Sequence, residues 1–133
     1  MKKIFIYNIE IFDSQILVAV GVTAKQVDKW LKKNGLKSIK NVMNKEITNR
    51  FIEASKNDGF VQFITNGDIT FYILWLKDFK WEMTLLDILN HEIVHLRQFM
   101  FADKNIENEL EFEAYFQESV FRELRKKLNK FCK

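Results

Sequence analysis

Residues 60 to 77 read FVQFITNGDITFYILWLK, and no other stretch limits the fold as closely. Two runs rich in Phe, Ile, Val and Tyr flank Asn66-Gly67, a dipeptide that takes the positive φ angles of a type I′ turn at little cost. The spacing predicts an antiparallel hairpin. Its second arm, FYILWL at 71 to 76, is the longest uninterrupted apolar run in the chain, as in a strand buried on both faces. A membrane-crossing helix needs about 20 such residues, so none is expected.

The other segments fit around that hairpin. Residues 3 to 11 and 15 to 21 are Ile-, Val- and Phe-rich on either side of DSQ, the pattern of a first antiparallel pair. The opening MKKIFIYNIEIF is basic and then apolar, but Asn8 and Glu10 interrupt it and no small-residue cleavage site follows. It therefore reads as a strand and not as a signal peptide. In TAKQVDKWLKKNG, Thr23 is placed as N-cap with Gln26 three residues on, Val27, Trp30 and Leu31 share one side, and Gly35 ends the helix. A further helix is expected across about 44 to 56, from Ile47, Phe51 and Ala54. Another is expected from about 85 to 101 behind Thr84 as N-cap, and a last one through about 129.

No proline interrupts any of these segments. With 47% apolar residues, 133 residues supply the core of one domain, residues 1 to 133. Trp30, Trp75 and Trp81 are expected in that core. The fold class is α+β, with a small antiparallel or mixed sheet.

Within the helix at 85 to 101 stands LNHEIVHLR, residues 89 to 97, which holds both of the chain's histidines. Residues i and i+4 lie one above the other on a helix, so His91 and His95 can reach one zinc ion at about 2.0–2.1 Å each. Glu92 lies about 100° round from His91, beside the ligands and not among them. There it can take a proton from a zinc-activated water and deliver it to a leaving amine. The competing reading makes both histidines packing residues of a metal-free domain.

A catalytic zinc site wants three protein ligands and one open position. Cys132, the only cysteine, and the glutamates of ENELEFEAYFQESV, namely Glu107, Glu109, Glu111, Glu113 and Glu118, are the candidates. With Ile106, Leu110, Phe121, Leu124 and Leu128 as the buried stripe, periodicity leans towards Glu107 or Glu113, about 60° from its centre. Ala114 argues for Glu111, because a small side chain nearby lets two helices approach closely.

The motif with a glutamate on the next helix resembles the small zinc metallopeptidases of the gluzincin type, and more closely a group of compact phage-encoded proteins of that type. The similar stretch runs from about Ile73 to Leu124 through ILWLKDF, LNHEIVHLRQF and EFEAYFQESV. The resemblance implies a minimal zincin-like core: a sheet packed with an active-site helix carrying the His-Glu-x-x-His motif and a C-terminal helix carrying the ligand glutamate. It implies Zn2+ as cofactor, a peptide or protein as substrate, and hydrolysis by a zinc-bound water with Glu92 as general base. The third ligand three residues before the alanine is then Glu111, with Glu113 the fallback.

Where larger gluzincins have an aspartate after the alanine, this chain has Tyr115. Tyr115 is either an electrophilic donor to the transition state or a core residue. The strand at 70 to 76 is either the sheet edge that holds substrate by β-augmentation, as the resemblance implies, or a strand buried on both faces. The alternative function is a catalytically silent zinc-binding phage protein that grips a host or virion protein.

The net charge of +3 is too balanced to indicate nucleic acid or an anionic membrane as partner. The basic run near the C-terminus suits the negative end of a helix dipole. A single cysteine precludes an internal disulfide and fits a reducing compartment, the host cytoplasm or a virion if the protein is phage-encoded.

Overall fold

Strands β2 (Ser14–Val20) and β4 (Ile69–Leu76) lie side by side in the middle of a four-stranded sheet. Their residues 16 to 20 and 71 to 76 are all buried. Both are nearly continuous apolar runs because each presents side chains to two covered faces. A computed structural model describes residues 2–12, 14–34, 53, 58–66, 69–107 and 110–131 of the chain. The remaining elements are β1 (Lys3–Ile9), α1 (Ala24–Lys33), β3 (Gly59–Asn66), α2 (Met83–Asp103) and α3 (Leu110–Phe131).

The sheet is mixed, in the order β1-β2-β4-β3. β1 pairs antiparallel with β2, β2 parallel with β4, and β4 antiparallel with β3. A three-residue 3-10 turn at residues 10 to 12 joins β1 to β2 where the sequence suggested a plain hairpin connection. The last β3–β4 pair is Asn66 with Ile69, which leaves two residues between the arms. The turn itself lies outside the described residues, as does the helix expected at 44 to 56 apart from Glu53.

Alternation divides the core. Ile16, Val18, Val20, Tyr72, Leu74 and Leu76 face α2 and α3, where they meet Leu89, Ile93, Leu96, Phe116, Val120 and Leu124. Leu17, Ala19, Ile73 and Trp75 face the other way, onto Val27 and Leu31 of α1. α1 opens with the expected capping box, in which Gln26 N–H donates to Thr23 Oγ1 at 3.2 Å and Thr23 N–H donates to Gln26 Oε1 at 2.8 Å. Trp75 donates its indole N–H to the Val22 carbonyl at 2.8 Å, satisfying a buried donor.

Several expectations are overturned. Of the two readings of residues 70 to 76, the edge strand fails and the strand buried on both faces holds: β4 has partners on both sides, and among the described residues the sheet edge on that side is β3. α2 begins at Met83, with Glu82 in the cap position, because Leu86 N–H already donates to the Glu82 carbonyl. Thr84 is therefore inside the first turn. Leu110 is 78% exposed, because the stripe of α3 that packs on the sheet is Phe116, Val120, Leu124 and Leu128, at i+4 spacing. Trp81 is 53% exposed, in the bend between β4 and α2. Among the described residues no helix is long and apolar enough to cross a membrane.

Candidate metal centre

α2 is anchored by Leu89, Ile93, Leu96 and Met100, all fully buried. Helical spacing then sets the remaining faces: His91 is exposed, His95 half-buried, and Glu92 only 6% exposed. The two imidazoles converge, with Nε2 of His91 3.1 Å from Nε2 of His95 and the rings 83° apart in plane. Two imidazole nitrogens at about 2.0–2.1 Å from one tetrahedral ion are about 3.3 Å apart. The donor chemistry of the pair fits a zinc ion, and its 3.1 Å separation, close to that value, is also the length of an N–H···N hydrogen bond between the rings. His95 Nδ1 lies 3.1 Å from Gln98 Oε1, one turn further along α2.

His91, Glu92 and His95 line a cleft of about 770 Å³ between α2 and the start of β3. Asp58, Gly59, Phe60 and Val61 form one wall, and Asp87, Ile88 and Phe99 of α2 complete it. Gly59 is where the strand comes closest to the motif: a Cβ there would be 3.2 Å from Glu92 Cγ and 2.9 Å from the Trp75 carbonyl oxygen. The backbone oxygen of Trp75 is the contact that leaves no room for a side chain here, while Glu92 would have to yield slightly.

α3 is tied to the same region by Gln117, whose amide N–H donates to the Asn90 carbonyl at 3.0 Å and to Asn90 Oδ1 at 2.8 Å. Further along, Phe101 stacks on Phe112 at 5.4 Å. Glu113 on α3 is half-buried and Glu111 exposed. Among the described residues, no three His, Cys, Asp or Glu side chains stand close enough together to hold a metal. Glu109 and Cys132 lie outside the described residues.

Tyr115 is 58% exposed and so is no part of the core. It lines a different cleft of about 880 Å³ between β1 and α3, together with Tyr7 and Lys127. Burial, and then the carboxylates of Glu123 and Glu10, push the Tyr7 phenol above its usual pKa.

Asp87 and Gln98 were not placed at the site from the sequence, although each is one helical turn from a histidine and periodicity alone reaches them. Gly59 and Asp58 carried no local signal, because their place at the site depends on contacts across the sheet. No family model, curated protein or solved structure matches this chain.

Proposed function

We propose that the protein is a zinc-dependent peptidase in which His91 and His95 hold the metal and Glu92 moves the proton. The observation that carries this reading is the convergence of the two Nε2 atoms at 3.1 Å in an open cleft that Glu92 also lines. Bound zinc supplies a Lewis acid and a water acidic enough to lose a proton near neutral pH. Glu92 takes that proton and passes it to the departing amine, first as general base and then as general acid. A metal held for structure alone needs the histidines but not this carboxylate.

β3 contributes the substrate edge. Gly59, Phe60 and Val61 line the cleft on a strand with its neighbour, β4, on one side. An extended peptide can add along the other side by main-chain hydrogen bonds.

The third donor is assigned to the first turn of α3. Gln117 turns one flank of this helix towards Asn90, next to His91. Glu113 lies one turn before Gln117 on that flank, whereas Glu111 lies about 120° round the helix from Gln117. The contact of Gln117 with Asn90 supports Glu113, where the family resemblance implies Glu111.

A second reading, a zinc-binding module that grips a host or virion protein without cutting it, is favoured by the position of Tyr115 on the other cleft. Two measurements separate these. Protein purified without a histidine tag is analysed for metal, and less than about half an equivalent of zinc, not restored by added zinc, sinks the metal reading. Wild type and Glu92→Gln are then compared on a peptide library. The peptidase reading expects wild-type turnover to fall by about 10²- to 10⁴-fold in the variant. Equal turnover, or none from either, leaves only the binding module.

A further inference from the structure

The resemblance would orient a ligating histidine through an aspartate after the alanine of α3, and here that place is taken by Tyr115, whose side chain lines the other cleft. His95 has a different neighbour. Its Nδ1 lies 3.1 Å from Oε1 of Gln98, three residues on along the same helix. An amide oxygen only accepts, so the proton of this bond belongs to His95 Nδ1 and the lone pair to His95 Nε2. That lone pair is on the nitrogen facing His91 Nε2, 3.1 Å away.

We propose that Gln98 is a positioning residue that holds His95 as the Nδ1–H tautomer, with Nε2 bare and turned to the point where the two histidines converge. The proposal rests on the zinc reading for its purpose but not for its geometry. It extends the motif to four residues spread over about two turns of α2, namely His91, Glu92, His95 and Gln98. It also makes the two histidines inequivalent. In metal-free protein the hydrogen between the rings belongs to His91 Nε2, so His91 must move its proton to Nδ1 to become a ligand, while His95 is already set. A partner on the same helix needs no docking of α3 to keep His95 in place. Such outer partners fix tautomer and ring orientation, and their loss costs about 10–100-fold in metal affinity.

With only two imidazoles in the chain, the tautomer can be read directly. Metal-free 15N-labelled protein is examined by long-range 1H–15N correlation, which distinguishes the Nδ1–H and Nε2–H forms, with His91→Asn to assign the signals. The expected result is His95 as Nδ1–H in wild type, a shift to the Nε2–H form in Gln98→Leu, and return to Nδ1–H in Gln98→Glu. Zinc affinity, measured by competition with a chromophoric chelator, is expected to fall about 10–100-fold in Gln98→Leu and to recover in Gln98→Glu. Gln98 is exposed, so the variants are expected to keep the wild-type circular dichroism. Wild-type His95 in the Nε2–H form, or Gln98→Leu matching wild type in tautomer and zinc affinity, overturns the proposal. Wild type that shows the expected tautomer but takes up no zinc overturns the metal reading instead.

Discussion

Gly59 and Glu92 are packed so closely that a single methyl group on the glycine would come within 3.2 Å of Glu92 Cγ. On its other side that methyl would meet the Trp75 carbonyl oxygen at 2.9 Å, an atom that cannot yield without moving the β3–β4 ladder. Gly59→Ala is therefore expected to destabilise the protein by about 1–3 kcal/mol, the usual range for overpacking. Denaturant titration checks this. Glu92→Ala in the same background should recover part of the loss, because it removes one of three close contacts, the third being Leu76 Cδ2 at 3.3 Å, and additive costs would show that Glu92 adds nothing to the penalty.

The third ligand can be found by zinc affinity alone. Glu113→Gln is expected to weaken zinc binding by at least about 10-fold, while Glu111→Gln changes it little, since Glu113 lies on the flank of α3 that Gln117 turns towards α2. The opposite ranking would return the assignment to Glu111. Equal, unchanged affinities would move the search to Glu109 and Cys132.

The cleft should select basic substrates. Among the described residues its lining includes Asp58, Asp87 and Glu92 and no Lys or Arg, in a chain whose net charge is +3. Peptides carrying Lys or Arg near the cleaved bond are expected to have the higher kcat/KM, and Asp87→Asn is expected to lower that preference. A preference for acidic peptides, or one unmoved by salt between low and physiological ionic strength, would count against it.

Alkaline stability should depend on Tyr72. This residue is 1% exposed, and its hydroxyl donates to Asp103 Oδ2 at 3.3 Å. Burial first, and then the charge and hydrogen bond of Asp103, hold the phenol well above its usual value. Because the folded-state pKa is the raised one, the native state keeps a proton that the unfolded chain loses above about pH 10. The contribution is complete below that pH and is lost as pH rises through the folded-state value. Stability measured from pH 8 to 11 should fall less steeply in Tyr72→Phe than in wild type. A residual slope is expected from Tyr7, whose phenol is raised too.

Thr23→Ala removes the side chain that accepts from Gln26 N–H and should cost about 0.5–2 kcal/mol. Thr84→Ala should cost little, because α2 begins one residue earlier, at Met83. A large loss at Thr84 would contradict the helix start given above.

Much of the fold was legible in short stretches. The capping box at Thr23, the flanking runs of the 59 to 76 hairpin, and the helical spacing of Leu89, Ile93 and Leu96 are local patterns whose physics acts within a turn or a strand pair. The His91–His95 pair belongs with them, since one helix sets it. Trp81, Leu110 and Tyr115 were misplaced for a single reason. Apolar character says that a side chain gains from burial, but not whether another element arrives to cover it.

By itself, then, the sequence determined most of the described elements, the α+β class, and the presence of two histidines and a glutamate on one turn and a half of helix. Only the tertiary structure decided that β2 and β4 pair in parallel at the centre of the sheet and that β3, not the apolar 70 to 76 strand, forms the edge at the cleft. It alone brought Gly59 against Glu92 and Gln117 against Asn90. These contacts join residues 33 and 27 positions apart, and their geometry is set by how sheet and helices pack, which no local pattern encodes.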